Sequence, residues 1–178
     1  RGSGSILGDI QSGFIANVGL NIFNQYVLES LDESIETVKP VIKPDIKLDC
    51  YWGSSIPKNY VDADSERIDI YKRLEHTHHT KVYQVKDEII DRFGALPEVT
   101  NNLFITAKIR SVLSEKNILR CKIRESQIEI FPIDLTEEIN LRMKTLDKKF
   151  IFRNKRLVLN FKNALSPDSV YQLLNSNL

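Results

Sequence analysis

Two apolar spacings succeed one another along this chain, and their order restricts the folds open to it. In "DIKLDCYW", Ile46, Leu48, Cys50 and Trp52 alternate with polar residues, the period of a strand with one buried face. Helical spacing then takes over, with stripes at Ile68, Tyr71 and Leu74, at Val82, Val85, Ile89 and Phe93, and at Val99, Leu103, Ala107 and Leu113. Alternation returns in "ILRCKIRE" and "QIEIF", joined near Ser126, and in "FIFRN" and "RLVLNF", joined near Asn154 and Lys155. Between these pairs "LTEEINLRMKTL" reads as a short helix capped by Thr136, with Glu137 and Glu138 in its first turn. Ser166-Pro167-Asp168 opens a last helix as cap then proline. Strands and helices mix without regular βα alternation. The expectation is α+β, a mixed small sheet of about five strands packed with several helices, not a doubly wound sheet.

Local signals divide the chain further. Asp64 and Thr80 are candidate helix caps, Gly94 a left-handed stop, and Pro97 a helix start. Upstream, Leu20, Phe23, Val27, Leu31, Ile35 and Val38 repeat at helical spacing until Pro40. "KPVIKP" then reads as an extended linker. The opening "RGSGSILGDIQSGFIANVGL" holds five of the seven glycines. Three parts follow: a glycine-rich segment over 1–19, a connecting helix and linker over 20–44, and an α+β domain over 45–178. No internal repeat has a solenoid period.

With 178 residues, 42% hydrophobic and 28% charged, the chain can bury a real core. No apolar run approaches the ~20 residues of a membrane span. Cys50 and Cys121 lie far apart, each in an alternating apolar segment. They read as buried free thiols in a reducing compartment, which places the chain in the cytoplasm. A net charge of +1 argues against a general nucleic-acid coat. The basic residues nonetheless cluster: between Arg142 and Lys162 stand eight Lys/Arg against the single acid Asp147. That segment is either a solvated hairpin or a surface for phosphates and acidic partners.

Catalytic constellations are missing. The dinucleotide fingerprint would need a glycine where Leu7 stands, and no Gly-Lys-Ser/Thr is present for a nucleotide-triphosphate loop. What remains of the opening is a flexible loop carrying Arg1, a bidentate phosphate donor, and Gln11, an amide that donates and accepts. His76, His78 and His79 are all the histidines present, and no Cys or further His stands at a ligand spacing. "EHTHHT" therefore reads as a polar inter-helix loop and not a zinc site. No G-x-S-x-G elbow exists. Glu88 and Asp91, three apart on one helix face, read as a solvated face or a charged docking surface.

"RGSGSILGDIQSGFIANVG" resembles the R-G-x-G-x-x-L-G-x-x-Q-S-G signature of bacterial transcription-repair coupling factors (Mfd), of which RecG-type translocases carry a related form. The resemblance to the coupling factors continues in "IPKNYVDADSERIDIYKRL" and "DEIIDRFGALP", strongly to about residue 100 and by pattern beyond. It implies a C-terminal fragment of an ATP-dependent double-stranded DNA translocase that displaces stalled RNA polymerase and recruits nucleotide-excision repair. The motor motifs would lie elsewhere, so the fragment itself implies no catalysis and no cofactor, with ATP and Mg belonging to the parent motor. Arg1 and Gln11 match the arginine and glutamine of the translocation motif. Glu88 and Asp91 match the acids of a family helix. That helix belongs to a terminal domain which packs on an N-terminal excinuclease-like module and hides the surface that recruits the damage-recognition excinuclease subunit. Ser3, Ser5 and the "EHTHHT" loop depart from the family pattern. An independent nucleic-acid adaptor using the basic 142–162 segment is the alternative.

Overall fold

The computed structural model describes residues 46–133, 136–145 and 150–178. The glycine-rich segment, the connecting helix and the linker lie outside the described residues. In chain order the elements are β1 (Lys47–Cys50), α1 (Asp64–His76), a single 3-10 turn (His79–Lys81), α2 (Val82–Phe93) and α3 (Glu98–Glu115). After them come β2 (Arg120–Arg124), β3 (Gln127–Phe131), α4 (Glu137–Thr145), β4 (Phe150–Arg153), β5 (Arg156–Asn160) and α5 (Pro167–Asn177). The α+β expectation holds.

The strands form one five-stranded sheet in the order β1-β2-β3-β5-β4. β1 runs parallel to β2, and the other pairs are antiparallel. A parallel neighbour needs a long crossover, and here α1, α2 and α3 supply it. The alternating pattern sets the register: Cys121 faces Ile130, Ile123 faces Ile128, and Leu159 and Leu157 continue the two rows on β5. All six are buried on one side of the sheet. At the β4–β5 turn Asn154 and Lys155 both have positive φ, 51° and 58°, the two-residue turn that matches strand twist.

Helix α3 positions everything else. Its sequence stripe suggests one apolar face, yet residues 102–107 are all buried, as are Ile109, Val112 and Leu113. It is enclosed because it separates two cores. Ile105, Ile109, Val112 and Leu113 pack with the sheet and with Val170 and Leu174 of α5. Leu103, Phe104 and Ala107 pack with Ile70 and Leu74 of α1, with Val82, Val85 and Ile89 of α2, and with Ile56 and Val61 of the preceding loop. Trp52 spans toward α3, its indole N–H donating to Thr106 Oγ1 at 3.1 Å.

Several local expectations hold. Gly94 stops α2 at φ 84°, its N–H donating to Ile90 O at 2.8 Å. The Thr136 hydroxyl accepts from Ile139 N–H, and Ser166 Oγ accepts from Ser169 N–H. Others are corrected. Asp64 is the first residue of α1, not its cap, because Ala63 takes the extended cap position and the Asp64 carboxylate pairs with Arg67. Thr80 sits inside the 3-10 turn, so Lys81 precedes α2 without a side-chain cap. On α1 the buried pair is Ile70 and Leu74, with Ile68 and Tyr71 partly exposed. Pro97 is the N-cap of α3 and not its first residue.

Cys50 and Cys121 are free and buried. Burial pushes the Cys50 thiol up to about 12 and that of Cys121 well above its ordinary value, so both are inert. Among the described residues no helix is long and apolar enough to cross a membrane.

Candidate interdomain docking face

With Val82, Val85 and Ile89 turned inward, the residues between them form the outer side of α2. Glu88 and Asp91 both stand there, but the structure gives them different surroundings. Arg73 of α1 grips both Glu88 oxygens, Nη1 at 2.9 Å from Oε1 and Nη2 at 2.5 Å from Oε2. Arg92 approaches the same Oε1 at 3.7 Å and reaches Glu66 of α1 at 2.7 Å. Asp69 lies 3.9 Å from Arg73. Two arginines and three acids thus tie α1 to α2 across their exposed side. The Arg73 hydrogen bond, above all, holds the Glu88 carboxyl below its ordinary value; burial opposes it, and the Arg73 and Arg92 charges add to it.

Asp91 and its neighbour Asp87 are exposed and enter no ion pair among the described residues. One acid of the sequence-derived pair is therefore bonded within the domain, and the other is open to a partner. Arg73, Arg92 and Glu66 were not singled out from the sequence. Their signal is an arginine or acid on the polar side of each amphipathic helix, and only the packing of α1 against α2 shows which ones meet.

Arg1 and Gln11 lie outside the described residues. His76, at the end of α1, lines a shallow depression of about 610 Å³ with Lys72, Arg73, Lys81 and Gln84. His78 and His79 turn toward α3 and meet Glu115. Of the basic segment, Arg153 and Arg156 are exposed, and Arg156 pairs with Glu129 at 3.3 Å. Arg120, Lys122 and Arg124 alternate outward on β2, so the sheet face away from the helices is predominantly cationic. Asp49 neutralises Arg124 at 2.6 Å.

This arrangement of sheet and helices belongs to a known class. It matches the solved C-terminal domain of a transcription-repair coupling factor with a TM-score of 0.63 at 20% identity, covering 76% of this chain and 91% of that one. The pattern that defines the TRCF domain family matches residues 52–144. The chain belongs to the transcription-repair coupling factor family, and its described residues correspond to the C-terminal domain. The transcription-repair-coupling factor of Buchnera aphidicola is 33% identical over 123 residues, covering 66% of this chain. That of Staphylococcus epidermidis is 31% identical over 145 residues, covering 79%. The chain spans only 15% and 12% of those two relatives.

Proposed function

We propose that this chain is a non-catalytic, autoinhibitory domain of a coupling factor. Through the outer side of α2 it docks on an excinuclease-like module of the same polypeptide and covers the surface that recruits the damage-recognition subunit. The whole protein, on this reading, is a cytoplasmic ATP-driven translocase on double-stranded DNA that displaces stalled RNA polymerase. Its ATP and magnesium are held by motor lobes, and Arg1 and Gln11 belong to the translocation motif that couples nucleotide state to movement.

The observation that carries the docking is Asp91, an exposed carboxylate with no counter-ion among the described residues, beside one that has two. A cation from another module meets Asp91 without competition, whereas at Glu88 it must share with Arg73. Such contacts suit a releasable clamp, since interdomain surfaces are polar and opposite charges fix register without making the contact permanent. In the intact protein, Glu88→Ala with Asp91→Ala should raise affinity for the damage-recognition subunit by about tenfold, the effect of roughly 1.4 kcal/mol. Asp91→Asn alone, which leaves the Arg73 bridge in place, should retain most of that gain. Unchanged binding by titration, with the fold intact by circular dichroism, would remove the clamp.

A second reading is a nucleic-acid adaptor that uses the basic 142–162 segment, of which Arg153 and Arg156 are exposed on the same sheet as the outward Arg120 and Lys122. Counterion release makes it distinguishable. Duplex binding by the chain should then weaken steeply with salt, and no binding at low salt eliminates it.

A further inference from the structure

The turn between α1 and α2 brings three ligand-type side chains to one place. His79 is the anchor. Its side chain is 11% exposed, its backbone N–H donates to Ser111 Oγ at 3.0 Å, and its Nδ1 lies 3.1 Å from the Tyr171 hydroxyl. With Nδ1 engaged by α5, Nε2 is left facing Glu115 Oε1 at 3.6 Å. His78 is held differently: its Nδ1 accepts from the Thr80 backbone N–H at 3.3 Å and lies 2.8 Å from Thr80 Oγ1, which can accept in turn when Nδ1 carries the proton. Its Nε2 lies 3.1 Å from the same Glu115 oxygen. Ser111 Oγ donates to that oxygen at 3.3 Å. Each of the three side chains is thus oriented by an outer partner, the support that metal ligands require.

We propose that His78 Nε2, His79 Nε2 and a Glu115 carboxylate oxygen form a binding site for a divalent transition-metal ion of the zinc class. Two imidazoles and a carboxylate are a donor set suited to zinc, whereas magnesium and calcium favour oxygen alone. One ligand atom from each of His78, His79 and Glu115 lies within 4.8 Å of the other two. Around a tetrahedral ion with bonds of about 2.0–2.1 Å they would stand about 3.4 Å apart, so the widest gap closes by at most ~1.4 Å. His78 and Glu115, 49% and 42% exposed, can make that adjustment while His79 stays in place. Their exposure also leaves the remaining coordination positions to water. Cysteine and histidine spacing in the sequence does not reveal this set, because its third donor is a carboxylate at the far end of α3. A bound ion would pin the turn leading into α2 to the last turn of α3 and, through Tyr171, to α5.

The test is titration of the tag-free chain with Zn2+ by calorimetry, with Co2+ as a spectroscopic substitute. Saturable one-to-one binding is expected, with visible Co2+ absorption bands of a site containing nitrogen ligands. Glu115→Gln and His78→Ala should each weaken it at least about tenfold. Tyr171→Phe, which frees the His79 ring, should weaken it about tenfold, and His76→Ala should leave it unchanged. Saturating Zn2+ should raise the melting temperature of the unaltered chain but not of Glu115→Gln. The proposal is overturned by no saturable binding up to ~100 μM Zn2+. It is equally overturned by binding that Glu115→Gln leaves intact and His76→Ala abolishes.

Discussion

Glu88 is bonded by a guanidinium and still 42% exposed, and the balance between those two facts sets its energetic weight. Its carboxyl pKa lies below the ordinary 4.5, with the Arg73 hydrogen bond as the main cause. A carboxyl depressed in the folded state contributes stability that is fully present above its unfolded value. That contribution is lost as pH falls through the folded value. Solvent screening keeps it to about 0.2–1 kcal/mol. Glu88→Gln should therefore cost at most that amount at neutral pH, and urea melts of the two proteins should converge under acid conditions. A difference that persists at low pH would mean that packing, not charge, is at work. Residue-scale reading of the sequence succeeded where a property is intrinsic, as with the buried thiols of Cys50 and Cys121. It failed at Asp64 and Thr80, because capping depends on how the chain enters the helix. Here the Asp64 carboxylate turns to Arg67 and the Thr80 hydroxyl to His78.

At the scale of the element, α2 is the most legible segment, since its inward stripe and its glycine stop both came directly from spacing. Gly94 adopts φ 84° and ψ −162°, a combination that only glycine tolerates well. An added Cβ there would meet nothing within 4 Å, so the cost of Gly94→Ala is backbone strain without a clash. The expected loss is about 1–3 kcal/mol. It should be read as a lower denaturation midpoint at unchanged denaturant slope. An unchanged midpoint would show that the chain relaxes at this stop. Helix α1 was less legible: its apolar residues allow two neighbouring stripes, and the position of the second core selects the one through Ile70 and Leu74.

Across the whole domain, α3 joins the two cores. Phe104 belongs to the helical cluster, while Trp52 belongs to the sheet cluster and bonds to Thr106 on the same helix. Such sharing couples the clusters into one cooperative unit. Phe104→Ala should destabilise by about 3–5 kcal/mol. The Trp52 fluorescence transition should move together with the far-UV transition although the substitution lies in the other cluster. Separate transitions would show that the helical part unfolds independently of the sheet.

Properties carried by neighbours along the chain are legible without the fold: strand and helix periods, the hairpin turns, the glycine stop and the burial of both thiols. Repeating apolar side chains at period 2 or 3.6 leaves each segment one way to hide them, so local physics suffices. Which distant groups meet depends instead on how the elements pack. The parallel seating of β1 beside β2, the enclosure of α3, the Arg73–Glu88 bridge and the approach of Glu115 to His78 and His79 all join groups on different elements. Charges and ligands act over a few ångströms of space, and separation along the chain does not set that distance.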